Sequence, residues 1–137
     1  MVRIISDTST MYSEAEGQTL GIDIAPLSVT ISGKTYRELT DIQTPDFIDL
    51  IHQGGIPSSS QPSIGDVLDL YEKYGDEQIL DIAMADGLSG TYNSACSAAT
   101  MAQHPENITV INTKTLCGPH RYMVENAQKM AKVSSTI

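Results

Sequence analysis

From Ile64 onward the chain alternates between apolar runs of helical spacing and short continuous apolar runs, an order that admits few folds. Ser63 opens a helix with Asp66 three positions on, and Ile64, Val67, Leu68, Tyr71 and Tyr74 recur on one helical face. Gly75 ends it. Gln78 to Met84 reads as a strand, Ala85-Asp86-Gly87 as a loop, and the Ala/Ser-rich stretch from Leu88 to about Gln103 as a second helix. Ile108 to Ile111 is another strand. Pro119 to about Lys132 closes as a helix with Tyr122, Met123, Ala127 and Met130 on one face. Such alternation favours a parallel sheet covered by helices and joined by right-handed crossovers. The expected fold class is α/β, a parallel-sheet, Rossmann-like lobe with helices on both faces.

The first half fits the same plan. Val2 to Ser6 reads as a buried strand that ends in the polar cluster Ser6-Asp7-Thr8-Ser9-Thr10. Ile22 to Ile24 and Leu27 to Ile31 read as strands separated by Pro26. Ser32-Gly33 is a turn, and Lys34 to Arg37 returns as a hairpin partner. Thr44-Pro45-Asp46 starts a helix, with Thr44 as its cap and Phe47, Ile48, Leu50 and Ile51 as its apolar side. Gly54-Gly55 stops it. In parallel sheets, ligands bind beyond the carboxyl ends of the strands. Three polar clusters lie after or beside strands: Ser6 to Thr10, Ser58 to Ser63, and Asp86 to Thr91.

Charge narrows the partners. Lys and Arg total 8 against 17 Asp and Glu, a net charge of −9. Phosphate backbones and anionic membrane surfaces need clustered cations, so neither nucleic acid nor a membrane surface is expected as a partner. No apolar run approaches the length of a transmembrane helix, and Asp7 arrives too early for a signal peptide. The expected location is cytoplasmic. Cys96 and Cys117 have no metal-ligand spacing and are expected to be small buried apolar residues. No metal site and no cofactor are expected.

Gly87-Leu88-Ser89-Gly90-Thr91-Tyr92 joins a strand to a helix start. Gly87 and Gly90 allow close approach to the backbone. Unpaired first-turn N–H groups and the positive helix end suit an anion, with Ser89 and Thr91 adding hydroxyls. An ordinary helix cap, with Ser89 binding only its own backbone, is the alternative. In Ser58-Ser59-Ser60-Gln61-Pro62-Ser63, Ser63 caps the following helix, which leaves Ser59 and Ser60 to meet a ligand or solvent. Asp7 is expected to hold neighbouring loops by accepting backbone N–H bonds. A serine esterase using Ser89 is a second possibility. However, the second Gly of a Gly-x-Ser-x-Gly elbow is displaced by one place, and His52, His104 and His120 read as surface or capping residues rather than a base. A phosphate- or nucleotide-binding module is a third, against which stands the absence of a P-loop Lys.

These clusters, in this order, resemble the DegV family. The matching stretches are Ser6-Asp7-Thr8-Ser9, Pro26-Leu27-Ser28-Val29-Thr30-Ile31, Gly33-Lys34-Thr35-Tyr36-Arg37, Ser59-Ser60-Gln61-Pro62-Ser63, Gly87-Leu88-Ser89-Gly90-Thr91-Tyr92 and Val110-Ile111-Asn112-Thr113-Lys114. The resemblance implies a bacterial, cytoplasmic protein of the EDD fold that binds a long-chain fatty acid such as palmitate, stearate or oleate. It implies a non-catalytic subunit of fatty acid kinase, whose partner is the ATP-binding kinase subunit. It places Ser59 and Ser89 on the fatty-acid carboxylate, with Ser60, Gly87, Gly90, Thr91 and Asp7 in supporting loops. Three positions depart from the family pattern: Ser59 stands where Thr is usual, Asp86 where Ser is common, and Asn112 where Asp is usual. Family members have two α/β lobes with the lipid between them. Residues 1–137 are therefore expected to form an N-terminal lobe, truncated before the C-terminal one, and to bind lipid weakly alone.

Overall fold

The computed structural model describes residues 1–133, and the expected truncated end at 134–137 lies outside them. β1 (Val2–Asp7) runs into a 3₁₀ turn at Thr8–Thr10, and α1 (Glu14–Leu20) leads back to β2 (Ile22–Ala25). β3 (Ser28–Ile31) and β4 (Lys34–Arg37) form the expected hairpin, followed by α2 (Thr44–His52), β5 (Ser58–Ser60) and α3 (Ile64–Glu72). β6 (Gln78–Ala83), α4 (Thr91–Met101), β7 (Ile108–Asn112) and α5 (Cys117–Val133) follow.

The main sheet has the order β2-β1-β6-β7, and every pair is parallel. Both of its faces are covered. Ile4, Ile22, Ile24 and Ile82 pack with Val124 of α5 on one side; Ile5 and Ile79 pack with Val67 and Tyr71 of α3 and with Ala95 and Ala98 of α4 on the other. Each fully buried Ile contributes roughly 1.5–3 kcal/mol. α1 lies close on β2 because Gly17 has no side chain: a Cβ there would stand 2.6 Å from Ile24 Cγ1 and 2.7 Å from the Ile22 carbonyl oxygen. A second, antiparallel sheet, β4-β3-β5, sits beside the first.

Several local expectations are corrected. β5 is three exposed serines that pair with β3 through backbone alone, so no side-chain pattern announces it. α1 carries a capping box between Ser13 and Glu16 but buries only Gly17, and it too lacks an apolar stripe. The cap position of α2 is Gln43, with Thr44 already inside the helix. α4 starts at Thr91 rather than Leu88. α5 buries His120 and Val124, with Ala127 and Ala131 packed against the core, and leaves Tyr122, Met123 and Met130 exposed. Small residues at that seam let the helix approach the sheet. Cys117 is exposed and Cys96 half-buried, so neither is the buried apolar residue expected.

Asp81, on β6, is a buried carboxyl with no ion-pair partner among the described residues. It accepts the Tyr71 hydroxyl at 2.5 Å, and burial pushes its pKa up to about 7, with Tyr71 opposing and the Asp7 charge adding. A raised acid pKa means that the folded state holds the proton more tightly than the unfolded one. This group's contribution to stability is therefore greatest at low pH and falls as pH rises from about 4 to about 7. Asp81→Asn, the neutral isostere, removes that loss. Urea denaturation should show the mutant's stability relative to wild type rising between pH 5 and pH 8. A constant difference across that range would contradict the assignment.

Candidate functional site

The carboxyl ends of β1, β6 and β7 form one edge, and Asp7 organises it. Its buried side chain accepts the N–H of Ser9 at 2.9 Å and the N–H of Met84 at 3.1 Å. Both oxygens are thereby spent on backbone. The end of β1 is tied to the end of β6, just before the Gly87–Thr91 turn.

Two of the sequence clusters meet beside this edge. The Gln61 side chain lies against the Cα of Gly90, so that a Cβ at Gly90 would stand 3.0 Å from the Gln61 amide. Pro62 is fully buried and anchors the same loop. The Ser58–Ser63 and Gly87–Thr91 segments, about thirty residues apart in sequence, are therefore neighbours. Gln61, the bridge, was not singled out from sequence; its only signal is its place between the serines and Pro62.

Within the second turn, Ser89 Oγ accepts the Thr91 N–H at 3.2 Å and lies 2.8 Å from Thr91 Oγ1. Thr91 is buried and Ser89 half-buried. Either hydroxyl can donate in that pair, and when Thr91 donates the Ser89 proton is free to point outward. The turn thus caps its helix and presents a hydroxyl at once. At Gly87 an added Cβ would meet no atom within 4 Å, so space is open there.

Ser59 pairs with Val29 across β5 and β3. Directly opposed residues of antiparallel strands share a face, and Val29 lines an apolar groove of about 470 Å³ with Met11, Leu39, Ile42, Phe47 and Thr8. Ser59 is thereby on the groove side of the small sheet. Strand alternation turns Ser60 to the opposite face. The chain's one Phe lies on this groove rather than in the core. None of the groove's apolar residues was picked out as a site from sequence, because their spacing looks like ordinary core.

Asp86 does not leave a bare negative charge at the turn. Lys114 Nζ bonds both of its oxygens, at 2.9 and 3.1 Å, and the Asn112 Oδ1 accepts the Lys114 N–H at 3.1 Å. The Asn112 amide, then Lys114, hold the Asp86 carboxyl below the usual carboxylate range. The two departures from the family pattern at Asp86 and Asn112 are thus neighbours. An Asp at position 112 would set a second negative charge beside Asp86, and the amide avoids that repulsion.

His120 is a further correction. It is fully buried rather than at the surface, with Nε2 at 2.8 Å from the Ile82 carbonyl oxygen and Nδ1 at 2.8 Å from Ser9 Oγ. Ser89 has no histidine among its hydrogen-bond partners in the described residues; its Oγ pairs with Thr91. No helix of the described residues is long and apolar enough to cross a membrane.

The sequence model of a family described as "Uncharacterised protein, DegV family" matches residues 1–137. A DegV domain-containing 15.5 kDa protein of Staphylococcus aureus is 34% identical over 134 residues, covering 96% of this chain and 94% of that one. The chain spans about half the length of longer curated relatives, 46% for another Staphylococcus aureus DegV domain-containing protein. Two solved structures superpose with a TM-score of 0.88 at 25% identity, covering 99% of this chain and 49% of theirs. One is described as showing fatty acid binding by a DegV family protein from Thermus thermophilus, the other as DegV, a fatty acid binding protein from Bacillus subtilis.

The Asp86–Asn112 pairing has a direct check. In Asn112→Asp, the Asp86 carboxyl loses an amide partner and gains a like charge, so an NMR pH titration should find its pKa higher than in wild type. The rise should shrink in high salt, since the groups are exposed. An Asp86 pKa that stays put or falls would sever the link between the two positions.

Proposed function

Because this chain belongs to the DegV family, we propose that it binds a long-chain fatty acid, with the carboxylate at Ser59 and Ser89 and the acyl chain along the Val29–Phe47 groove. The contact of Gln61 with Gly90 carries this assignment, since it makes the two hydroxyl-bearing segments neighbours. Fatty acid binding by the Thermus thermophilus and Bacillus subtilis relatives supports the ligand class.

The two parts of the site do different work. An acyl chain gains about 0.8 kcal/mol per buried CH₂, so affinity comes from the groove, whose volume is within the range of roughly 300–1,000 Å³ usual for small-molecule sites. A hydroxyl–carboxylate bond is worth about 1.5–3 kcal/mol and fixes orientation. Ser60 and Thr91 support the loops, Gly87 leaves room for the ligand, Gly90 seats Gln61, and Asp7 holds the turns without touching the carboxylate. On this reading the residues form one lobe, and relatives about twice this length have chain enough for a second lobe over the groove. Affinity of this chain alone is accordingly weak. The bound carboxylate is handed to a separate ATP-binding kinase subunit in the cytoplasm, and the chain supplies no catalytic group for phosphoryl transfer.

Titration with a fluorescent long-chain fatty acid tests this. Ser89→Ala should weaken binding about tenfold, as should Ser59→Ala, each step corresponding to about 1.4 kcal/mol. Phe47→Asp should abolish binding. Affinity unchanged in the Ser59→Ala/Ser89→Ala double variant would remove the head-group assignment, and lipid that copurifies in stoichiometric amount would contradict weak binding by the lobe.

A further inference from the structure

His120 and Ser9, 111 positions apart, form a hydroxyl–imidazole pair that the carrier function does not use. His120 is fully buried at the start of α5. Its Nε2 lies 2.8 Å from the Ile82 carbonyl oxygen and 3.1 Å from Ser6 Oγ, and Ser6 itself donates to that carbonyl at 2.7 Å. A carbonyl oxygen only accepts, so Nε2 carries the ring proton. That leaves Nδ1, 2.8 Å from Ser9 Oγ, as the ring position that accepts the Ser9 proton in the neutral tautomer. The tautomer is set by backbone in the way a buried carboxylate sets it in a catalytic triad.

Ser9 differs from the other hydroxyls of this edge. Thr8 Oγ1 donates to Glu38 at 2.9 Å and accepts the Leu27 N–H at 3.0 Å, and Thr10 Oγ1 donates to the Asp7 carbonyl. Ser89 and Thr91 bond each other. Ser9 alone faces an imidazole acceptor, and it is half-buried rather than sealed. Its backbone N–H is fixed by Asp7, which leaves the side chain a defined direction.

We propose that Ser9 is a nucleophile, with His120 as its general base, toward activated ester carbonyls. Ser9 Oγ bonds to the carbonyl carbon while its proton passes to His120 Nδ1. The leaving group departs with the electron pair of the broken C–O bond and takes that proton, giving an acyl-Ser9 ester. Water then attacks the ester, gives its proton to Nδ1, and releases the carboxylic acid as Ser9 recovers its proton. This reactivity stands independently of the fatty-acid assignment, because it requires no acyl tail in the groove.

A serine-directed fluorophosphonate tests it: Ser9 Oγ displaces fluoride at phosphorus and its proton leaves through His120. Incubation of the folded chain followed by peptide mass mapping should find the adduct on Ser9. Ser9→Ala should abolish labelling. His120→Gln keeps an N–H donor for the Ile82 carbonyl but has no base at the Nδ1 position, and should slow labelling about a hundredfold or more. Circular dichroism checks that both variants fold, and the wild-type adduct site decides the matter even if His120→Gln does not. An adduct at Ser89 or elsewhere, or none, overturns the proposal, as does labelling of Ser9 that is equally fast in a folded His120→Gln.

Discussion

The buried carboxylate of Asp7 is the contact on which the rest of this edge depends. A buried charge is tolerated only when its oxygens are bonded, and here backbone N–H groups of Ser9 and Met84 take both. One bond stays within the turn after β1; the other crosses to the end of β6. The 3₁₀ turn, with the groove wall at Thr8, is therefore tied to the approach to the Gly87–Thr91 turn. Losing such a pair of charge-assisted bonds leaves two buried donors unpaired, at about 1–3 kcal/mol each.

On that frame the chain sets two kinds of surface side by side. The apolar groove is formed mainly by the loop from Glu38 to Gln43 and the start of α2, a helix that buries none of its own residues, with Val29 of β3 and with Thr8 and Met11 from the turn after β1. Ser59 pairs with Val29 of that groove, and Gln61 joins the Ser59 segment to the turn that carries Ser89, in a molecule of net charge −9. Attraction of an anion cannot come from the protein's overall field. It must come from local donors and the positive end of α4, with Lys114 cancelling the nearest carboxylate. On the proposed reading, this is how an acidic protein holds an anionic ligand.

Legibility in the sequence followed what each element buries. β1, β2, β6 and β7 are short apolar runs, and α3 shows Val67 and Tyr71 at helical spacing, so all five were readable. β5 was not, because serines that pair only through backbone leave no pattern. α5 was placed correctly but turned the wrong way: Tyr122, Met123 and Met130 looked like a core face, while the true seam is His120, Val124, Ala127 and Ala131. For the site, the two hydroxyl turns were legible as clusters and through the family resemblance. The groove, the Gln61 bridge and the Ser9–His120 pair were not, since each joins residues far apart in sequence whose types are unremarkable singly.

The central claim is that two distant turns clasp one head group at the end of an apolar groove. A crystal structure of the chain saturated with palmitate tests it most directly. The account predicts electron density along Val29 and Phe47, ending with carboxylate oxygens within hydrogen-bond distance of Ser59 Oγ and Ser89 Oγ. A palmitate whose carboxylate lies at the far end of the groove, or whose chain avoids the groove altogether, would contradict it.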